Sequence, residues 1–169
     1  LFVIKDPRIC RFAPMFMRIL QGNGIDVVPI IPIRNPIEVI ASLMKRAENW
    51  PKETRQRLWN ENFTRADAAL LWLRHVLDAE LASRGCRRVL TDYEYLLYDW
   101  RLELEKIVAA SGLQFPYAVD DIASEVETFI RPDLRHHVRS TTDVHLDPLL
   151  HGWVSDTFEA LRILIRTPE

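Results

Sequence analysis

The sequence predicts an α/β fold, rich in helices, in which a short parallel sheet is flanked by those helices. Three short apolar stretches, at residues 2–4, 27–33 and 88–91, have the composition of strands. Segments with apolar residues at helical spacing separate them, and strands that alternate with helices favour parallel pairing. We therefore expect a single α/β domain across residues 1–169.

The composition fits this expectation and narrows the partners. Of the 169 residues, 48% are hydrophobic and 27% are charged, which is ordinary for a globular domain. A net charge of -2 gives no overall attraction to nucleic acid. Cys10 and Cys86 suit neither a disulfide framework nor a metal site. The cysteine usage favours a reducing compartment, and no apolar run is long enough to span a bilayer. We therefore expect a cytoplasmic protein, and we expect no metal.

The chain opens with a predicted buried strand at residues 2–4, and Pro7 ends it because proline cannot continue a strand ladder. Lys5 and Arg8 then stand at the carboxyl end of that strand. If the strands are parallel neighbours, both cations lie near Arg34 and form an anion site. The alternative is a solvated loop with an internal charge cluster.

The stretch at residues 27–33 is the clearest predicted strand, and a helix follows it at once. Asn35 can cap that helix, and Pro36 suits its first position. Arg34 stands at the carboxyl end of the strand, where open α/β sheets bind ligands, and a guanidinium forks well onto a phosphate. Ser42 lies two turns into the helix. A solvated Arg34 and a Ser42 bonded to its own helix is the structural alternative.

Apolar periodicity predicts the remaining helices. They cover residues 11–20, 52–58, 66–84, 100–110 and 119–129, and a last helix starts at Asp147-Pro148. The expected core faces are Phe12, Phe16, Ile19 and Leu20 in the first helix and Ala66, Ala69, Leu70, Leu73, Leu77 and Leu81 in the third. Residues 48–65 form either a flap over a cleft or, as we favour, a loop packed by its aromatic residues.

Two later stretches carry further candidate binding residues. Tyr93 directly follows the strand at 88–91, so its ring can lie beside a purine or simply plug the sheet edge. Residues 131–139 form the densest basic run. This run is either a solvated loop or a loop that closes over nucleotide phosphates. His136 and His137 are adjacent and face different ways, which disfavours a metal pair.

The segment Arg-Asn-Pro-x-x-Val-x-x-Ser-Leu at 34–43 resembles the 3′-phosphate-binding segment of sulfotransferases that use 3′-phosphoadenosine 5′-phosphosulfate (PAPS). The resemblance implies a P-loop nucleotide-kinase-like fold in which Arg34 and Ser42 hold the 3′-phosphate. Lys-Asp-Pro-Arg at 5–8 is similar to a segment of bacterial sulfotransferase-like proteins. It implies that Lys5 approaches the phosphosulfate as a catalytic residue, with Arg8 as a further candidate.

The same resemblance extends to two later segments. Tyr-Glu-x-Leu at 93–96 is similar to the segment whose Tyr contacts the adenine, which gives Tyr93 that role; Tyr95 replaces the usual Asp. The run at 129–136 looks like a late segment of the bacterial group. The Arg-Lys-Gly segment that clamps the 3′-phosphate in cytosolic sulfotransferases is absent from this sequence. Arg135 or His136 is then the candidate substitute.

The sequence also departs from the family in its catalytic residues. Pro7 occupies the position of the His base of cytosolic sulfotransferases, and Asp6 is geometrically possible as a replacement. No Gly-rich phosphate loop connects a strand to a helix. We therefore expect this chain to be the carboxyl-terminal part of a longer sulfotransferase; a homologue that lost the loop is the alternative.

The resemblance implies that a sulfuryl group moves from PAPS to an acceptor hydroxyl or amine by in-line displacement. Two other functions stay open. A P-loop-type kinase would keep the fold and use ATP, and a catalytically inactive helical interaction module would bind no nucleotide. The acceptor and the oligomeric state are not determined by the sequence, because acceptor sites are built from variable loops.

Overall fold

A computed structural model describes residues 1–59, 62–130, 141–150 and 152–167. The helices are α1 (Ile9–Gly22), α2 (Pro36–Glu48), α3 (Lys52–Trp59), α4 (Arg65–Ser83), α5 (Tyr93–Tyr98), α6 (Trp100–Ser111), α7 (Val119–Phe129), α8 (Thr141–Leu146) and α9 (Trp153–Arg166), and the strands are β1 (Ile30–Ile33) and β2 (Val89–Asp92). The predicted helix-rich α/β character is confirmed. Within these ranges, no helix has the length and apolar character that crossing a membrane requires.

The two strands form a parallel sheet. Ile30 lies opposite Val89, and Ile33 lies opposite Asp92. Burial alternates along β1: Ile31 and Ile33 are buried, and Ile30 and Pro32 are exposed. The strand expected at 27–33 is therefore shorter than predicted and is buried on one face only. Because the strands are parallel, their carboxyl ends meet at the same edge of the sheet.

Residues 2–4 are not a buried strand, and that prediction was wrong. Phe2 is 85% exposed, Val3 is also largely exposed, and the segment has no strand assignment. In the part of the chain that the structure describes, the sheet consists of β1 and β2 alone. Residues 2–4 pair with neither strand of this sheet, so their backbone lacks the ladder hydrogen bonds that a strand needs.

The core lies where β1 meets α2, α4 and α9. Trp72 and Phe158 meet edge to face, with ring centroids 6.3 Å apart, and Leu150 is fully buried. The last helix does not start at Asp147-Pro148 as predicted. Instead α8 ends at Leu146, and α9 begins after Gly152, whose φ of 82° favours glycine.

The expected core face of α4 is also wrong in part. Leu70, Leu77 and Leu81 are 58%, 45% and 63% exposed. The buried positions of α4 are Ala68, Ala69, Trp72, Glu80 and Ser83. On α1, likewise, Phe12 and Ile19 are exposed and no residue is fully buried. Periodicity predicted α1 and α4 as helices correctly, but packing against α1, α2 and α9 selected another face of α4.

A cluster of ion pairs around the buried Glu80 joins the end of α4 to the start of β2. Glu80 accepts hydrogen bonds from Arg84 Nε at 2.9–3.0 Å and from Arg88 Nη1 at 3.1 Å. Arg88 Nη1 also donates to the Ser83 hydroxyl at 3.1 Å. Hydrogen bonding from Arg84, and then from Arg88, lowers the pKa of Glu80 although burial opposes the shift. This cluster lies at the amino end of β2 and has a structural role.

Candidate functional site

The candidate site starts where β1 ends. Asn35 caps α2, as predicted, because its Oδ1 accepts a hydrogen bond from the Ile37 amide at 3.0 Å. Pro36 follows at the first position of the helix, where a missing N–H costs nothing. This turn leaves Arg34 between strand and helix at the carboxyl edge of the sheet.

The end of β2 is built in the same way. Asp92 caps α5, and its Oδ1 accepts a hydrogen bond from the Glu94 amide at 2.7 Å. Tyr93 is therefore the first residue of a short helix at the edge where β1 also ends. The guanidinium Cζ of Arg34 lies 4.6 Å from the centroid of the Tyr93 ring. The structure thus brings together two of the predicted site residues in a cation–π contact.

Glu38 completes this group, and the sequence interpretation missed it. Arg34 Nε donates a hydrogen bond to Glu38 Oε2 at 3.1 Å. The side chain of Glu38 is fully buried, whereas that of Arg34 is 30% exposed. The two residues stand four positions apart, a spacing that places side chains on the same helix face. That spacing was the available signal in the sequence.

The electrostatic character of the small pocket at Arg34 is mixed. Its described lining includes three carboxylates, from Glu38, Asp92 and Glu94, and one guanidinium, from Arg34. Phe158 of α9 supplies an apolar wall. Three carboxylates beside one guanidinium disfavour an anion inside this pocket, and further positive charge would favour its binding.

The basic run at residues 131–139 is the predicted source of such charge. Residues 131–140 lie outside the described part of the chain. The roles assigned to Arg135 and His136 therefore stay predictions.

Ser42 lies further along the same face of α2. It follows Glu38 by one helical turn, is half-buried, and does not line the pocket at Arg34. Its hydroxyl forms no hydrogen bond with any of the described residues, so the back-bonded alternative is not observed. The order Arg34, Glu38, Ser42 along one helix face means that the buried carboxylate stands between the two predicted phosphate ligands.

The structure does not bring Lys5 and Arg8 to Arg34. Neither residue lines the pocket, and both are exposed. Arg8 instead donates to both carboxylate oxygens of Asp6, from Nε at 3.0 Å and from Nη2 at 2.9 Å. The expected convergence depended on a strand at residues 2–4, which does not form. The loop with an internal charge cluster is what the structure shows, and the catalytic role of Lys5 stays a prediction.

Asp6 is poorly suited to accept a proton in this arrangement. Hydrogen bonds from the side chain and backbone of Arg8 hold the pKa of Asp6 far below its usual range. A general base works best when its pKa lies near the operating pH. Asp6 would have to break its hydrogen bonds with Arg8 before it could accept a proton from an acceptor.

Other candidate groups have structural roles. His75 Nδ1 lies 2.7 Å from the Leu71 carbonyl oxygen, in agreement with a structural histidine. Trp50 and Phe63 pack with ring centroids 5.7 Å apart, which fits the aromatic-packed loop at residues 48–65 better than an open flap. Across the described ranges, no group of three His, Cys, Asp or Glu residues is arranged to hold a metal ion.

Comparisons with protein-family models, with curated proteins and with solved structures found no match to this chain.

Proposed function

We propose that this chain belongs to a PAPS-dependent sulfotransferase with a P-loop kinase-like fold, and that it binds the nucleotide of that enzyme. The supporting observation is the Arg34–Tyr93 contact at the shared carboxyl edge of two parallel strands. A guanidinium and an aromatic ring at such an edge suit one phosphate and one base of the same nucleotide. Arg34 holds the 3′-phosphate, and Tyr93 contacts the adenine with the part of its ring that Arg34 leaves free.

The remaining predicted residues extend this binding site. Ser42 has a hydroxyl without a hydrogen-bond partner among the described residues, and it donates to the same phosphate. Arg135 adds positive charge around the nucleotide, whereas Arg8 would have to leave Asp6 to do so. Positive charge beside the acidic lining of the pocket favours binding of the negatively charged phosphate.

The proposed reaction is an in-line displacement at sulfur. The acceptor oxygen or nitrogen bonds to sulfur while the bond from sulfur to the 5′-phosphate oxygen breaks, and adenosine 3′,5′-bisphosphate leaves. Lys5 stabilises the charge that develops on the leaving phosphate. The acceptor proton passes to a base outside the residues assigned here. We place the reaction in the cytoplasm, where cysteines stay reduced.

Isothermal titration calorimetry tests the proposal. Adenosine 3′,5′-bisphosphate, 5′-AMP and ATP are titrated into the chain and into Arg34→Ala. A charge-assisted contact to phosphate contributes about 1.5–3 kcal/mol, so we expect the bisphosphate to bind at least about tenfold more tightly than AMP. Arg34→Ala should remove that preference. Arg18→Ala is the matched control, because Arg18 is exposed on α1 and forms no ion pair with any described residue.

Each other outcome contradicts the proposal in a specific way. A preference for ATP over the bisphosphate would favour the kinase. Binding of none of the three nucleotides would favour the interaction module. A bisphosphate preference that survives Arg34→Ala would show that the 3′-phosphate is held elsewhere.

A further inference from the structure

The contact between Arg34 and Glu38 uses one particular nitrogen of the guanidinium. Nε donates to Glu38 Oε2 at 3.1 Å. Neither terminal nitrogen of Arg34 forms a hydrogen bond or ion pair within the described residues. Because an arginine presents its two terminal nitrogens as a planar fork, this leaves the fork free for an oxyanion with two parallel oxygens.

Two further features limit the movement of the Arg34 guanidinium: the Tyr93 ring and the burial of Glu38. The Tyr93 ring lies against the guanidinium, with Cζ 4.6 Å from the ring centroid. Glu38 itself cannot move into solvent, since it lies fully buried on a regular helix. A hydrogen bond at Nε and a ring against the group together limit rotation of the guanidinium. A group fixed before the ligand arrives loses less conformational entropy on binding.

We infer that Glu38 is a positioning residue: it holds Arg34 by Nε and turns the terminal fork of Arg34 toward the 3′-phosphate. This inference rests on the proposed function for the identity of the anion. It goes further in assigning the selectivity for the 3′-phosphate to a pair of residues. The carboxylate beside Arg34 also offsets part of its positive charge, so the orientation of the fork contributes to recognition of the anion.

The first part of the test needs no nucleotide. Exchange of the Arg34 Nε proton with solvent is measured by NMR in the full chain, in Glu38→Ala and in Glu38→Gln. A proton held by a buried carboxylate exchanges slowly. We expect fast exchange in Glu38→Ala and intermediate exchange in Glu38→Gln, because glutamine retains an acceptor oxygen but forms a weaker, uncharged bond. Exchange rates that do not depend on residue 38 would overturn the inference.

The second part measures selectivity. The ratio of the affinities for adenosine 3′,5′-bisphosphate and AMP is determined for Glu38→Ala, Glu38→Gln, Arg34→Ala and the double variant. Glu38→Ala should lower the ratio by about tenfold, as expected for loss of a charge-assisted phosphate contact, and Glu38→Gln should restore most of it. Glu38→Ala should not change the ratio further when Arg34 is already alanine. A further loss in the double variant would show that Glu38 acts without Arg34 and would overturn the inference.

Two controls separate the possible failures. Glu125→Ala, at an exposed position of α7 with no ion pair among the described residues, should change neither readout. Far-UV circular dichroism reports whether each variant folds. If Glu38→Ala does not fold, Glu38→Gln decides alone, and an exchange rate equal to that of the wild type overturns the inference. If the wild type shows no bisphosphate preference, the proposed function fails, and the exchange data still decide whether Glu38 positions Arg34.

Discussion

Arg34 and Tyr93 come from distant parts of the sequence, yet the guanidinium of one lies against the ring of the other, 4.6 Å from Cζ to centroid. The sheet register explains the contact. Ile33 lies opposite Asp92 in the parallel pair of β1 and β2. The next residue on each strand is therefore carried to the same edge, and the two helix caps Asn35 and Asp92 hold the turns there.

Replacement of Tyr93 separates its ring from its hydroxyl. Tyr93→Phe keeps the cation–π contact with Arg34 and should leave the affinity for adenosine 3′,5′-bisphosphate within about twofold of the wild type. Tyr93→Ala removes the ring and should weaken binding by about 0.5–2 kcal/mol. Calorimetry checks both values. Equal losses in the two variants would show that the hydroxyl, rather than the ring, is the important group.

Thr91 is expected to stabilise the fold beside the site. It is buried, and its hydroxyl donates a short hydrogen bond to Glu103 Oε1 on α6. Thr91→Val keeps the shape and removes the donor, so the free energy of unfolding should fall by about 1–3 kcal/mol. Urea denaturation measures the change. Thr91→Ser retains the donor, and a loss as large as that of Thr91→Val would contradict this explanation.

Two leucines should differ in how much they contribute to the free energy of unfolding. Leu161 of α9 is 3% exposed, whereas Leu70 of α4 is 58% exposed. Leu161→Ala should lower the free energy of unfolding by about 2–5 kcal/mol because it leaves a cavity. Leu70→Ala should change it by no more than about 0.5 kcal/mol. Chemical denaturation of both variants tests the packing. A large loss of unfolding free energy in Leu70→Ala would instead support the core face of α4 that the sequence predicted.

The Glu80 cluster should make stability depend on pH. Hydrogen bonds from Arg84 and Arg88 lower the pKa of Glu80 in the folded chain below the ordinary value of 4.5. The charged form is therefore favoured by folding, so this stabilisation is present above about pH 4.5 and is lost as the pH falls toward the folded-state pKa.

Thermal unfolding between pH 7 and pH 3 measures this effect. Glu80→Gln should lower the melting temperature at pH 7 and reduce its dependence on pH in the acid range. Glu125→Gln, at an exposed position of α7, should leave both unchanged. A Glu80→Gln variant with the full acid dependence of the wild type would assign that dependence to other carboxylates.

Much of the local structure could be predicted from residue types alone. Asn35 and Pro36 marked the start of α2, because a side-chain acceptor and a residue without an N–H suit those positions in any helix. Val119–Phe129 forms a helix with the predicted bounds. The strand at the end of which Tyr93 stands was also correct within a residue. Helix caps and the bounds of helices and strands depend mainly on residues close in the sequence, and these can be read directly from it.

Only part of the candidate site was predictable from the sequence. Arg34 and Tyr93 were each placed at a strand end, whereas the role of Glu38 was missed although its spacing from Arg34 was available. The expected approach of Lys5 to Arg34 is absent, because it required residues 2–4 to pair as a strand. A strand forms only when a partner supplies its hydrogen bonds, and a single segment does not specify that partner.

The sequence by itself therefore determined most of the helices and the strand–turn–helix unit at Arg34, but not α5, α8 or the start of α9. The features that it determined follow from local propensity and hydrogen bonding within a few residues. Only the tertiary structure decided which face of α4 is buried, that residues 2–4 stay outside the sheet, and that Glu38 and Tyr93 both contact Arg34. Periodicity gives a helix an apolar side, but burial is a property of two surfaces. Its outcome depends on which elements pack together and at what register.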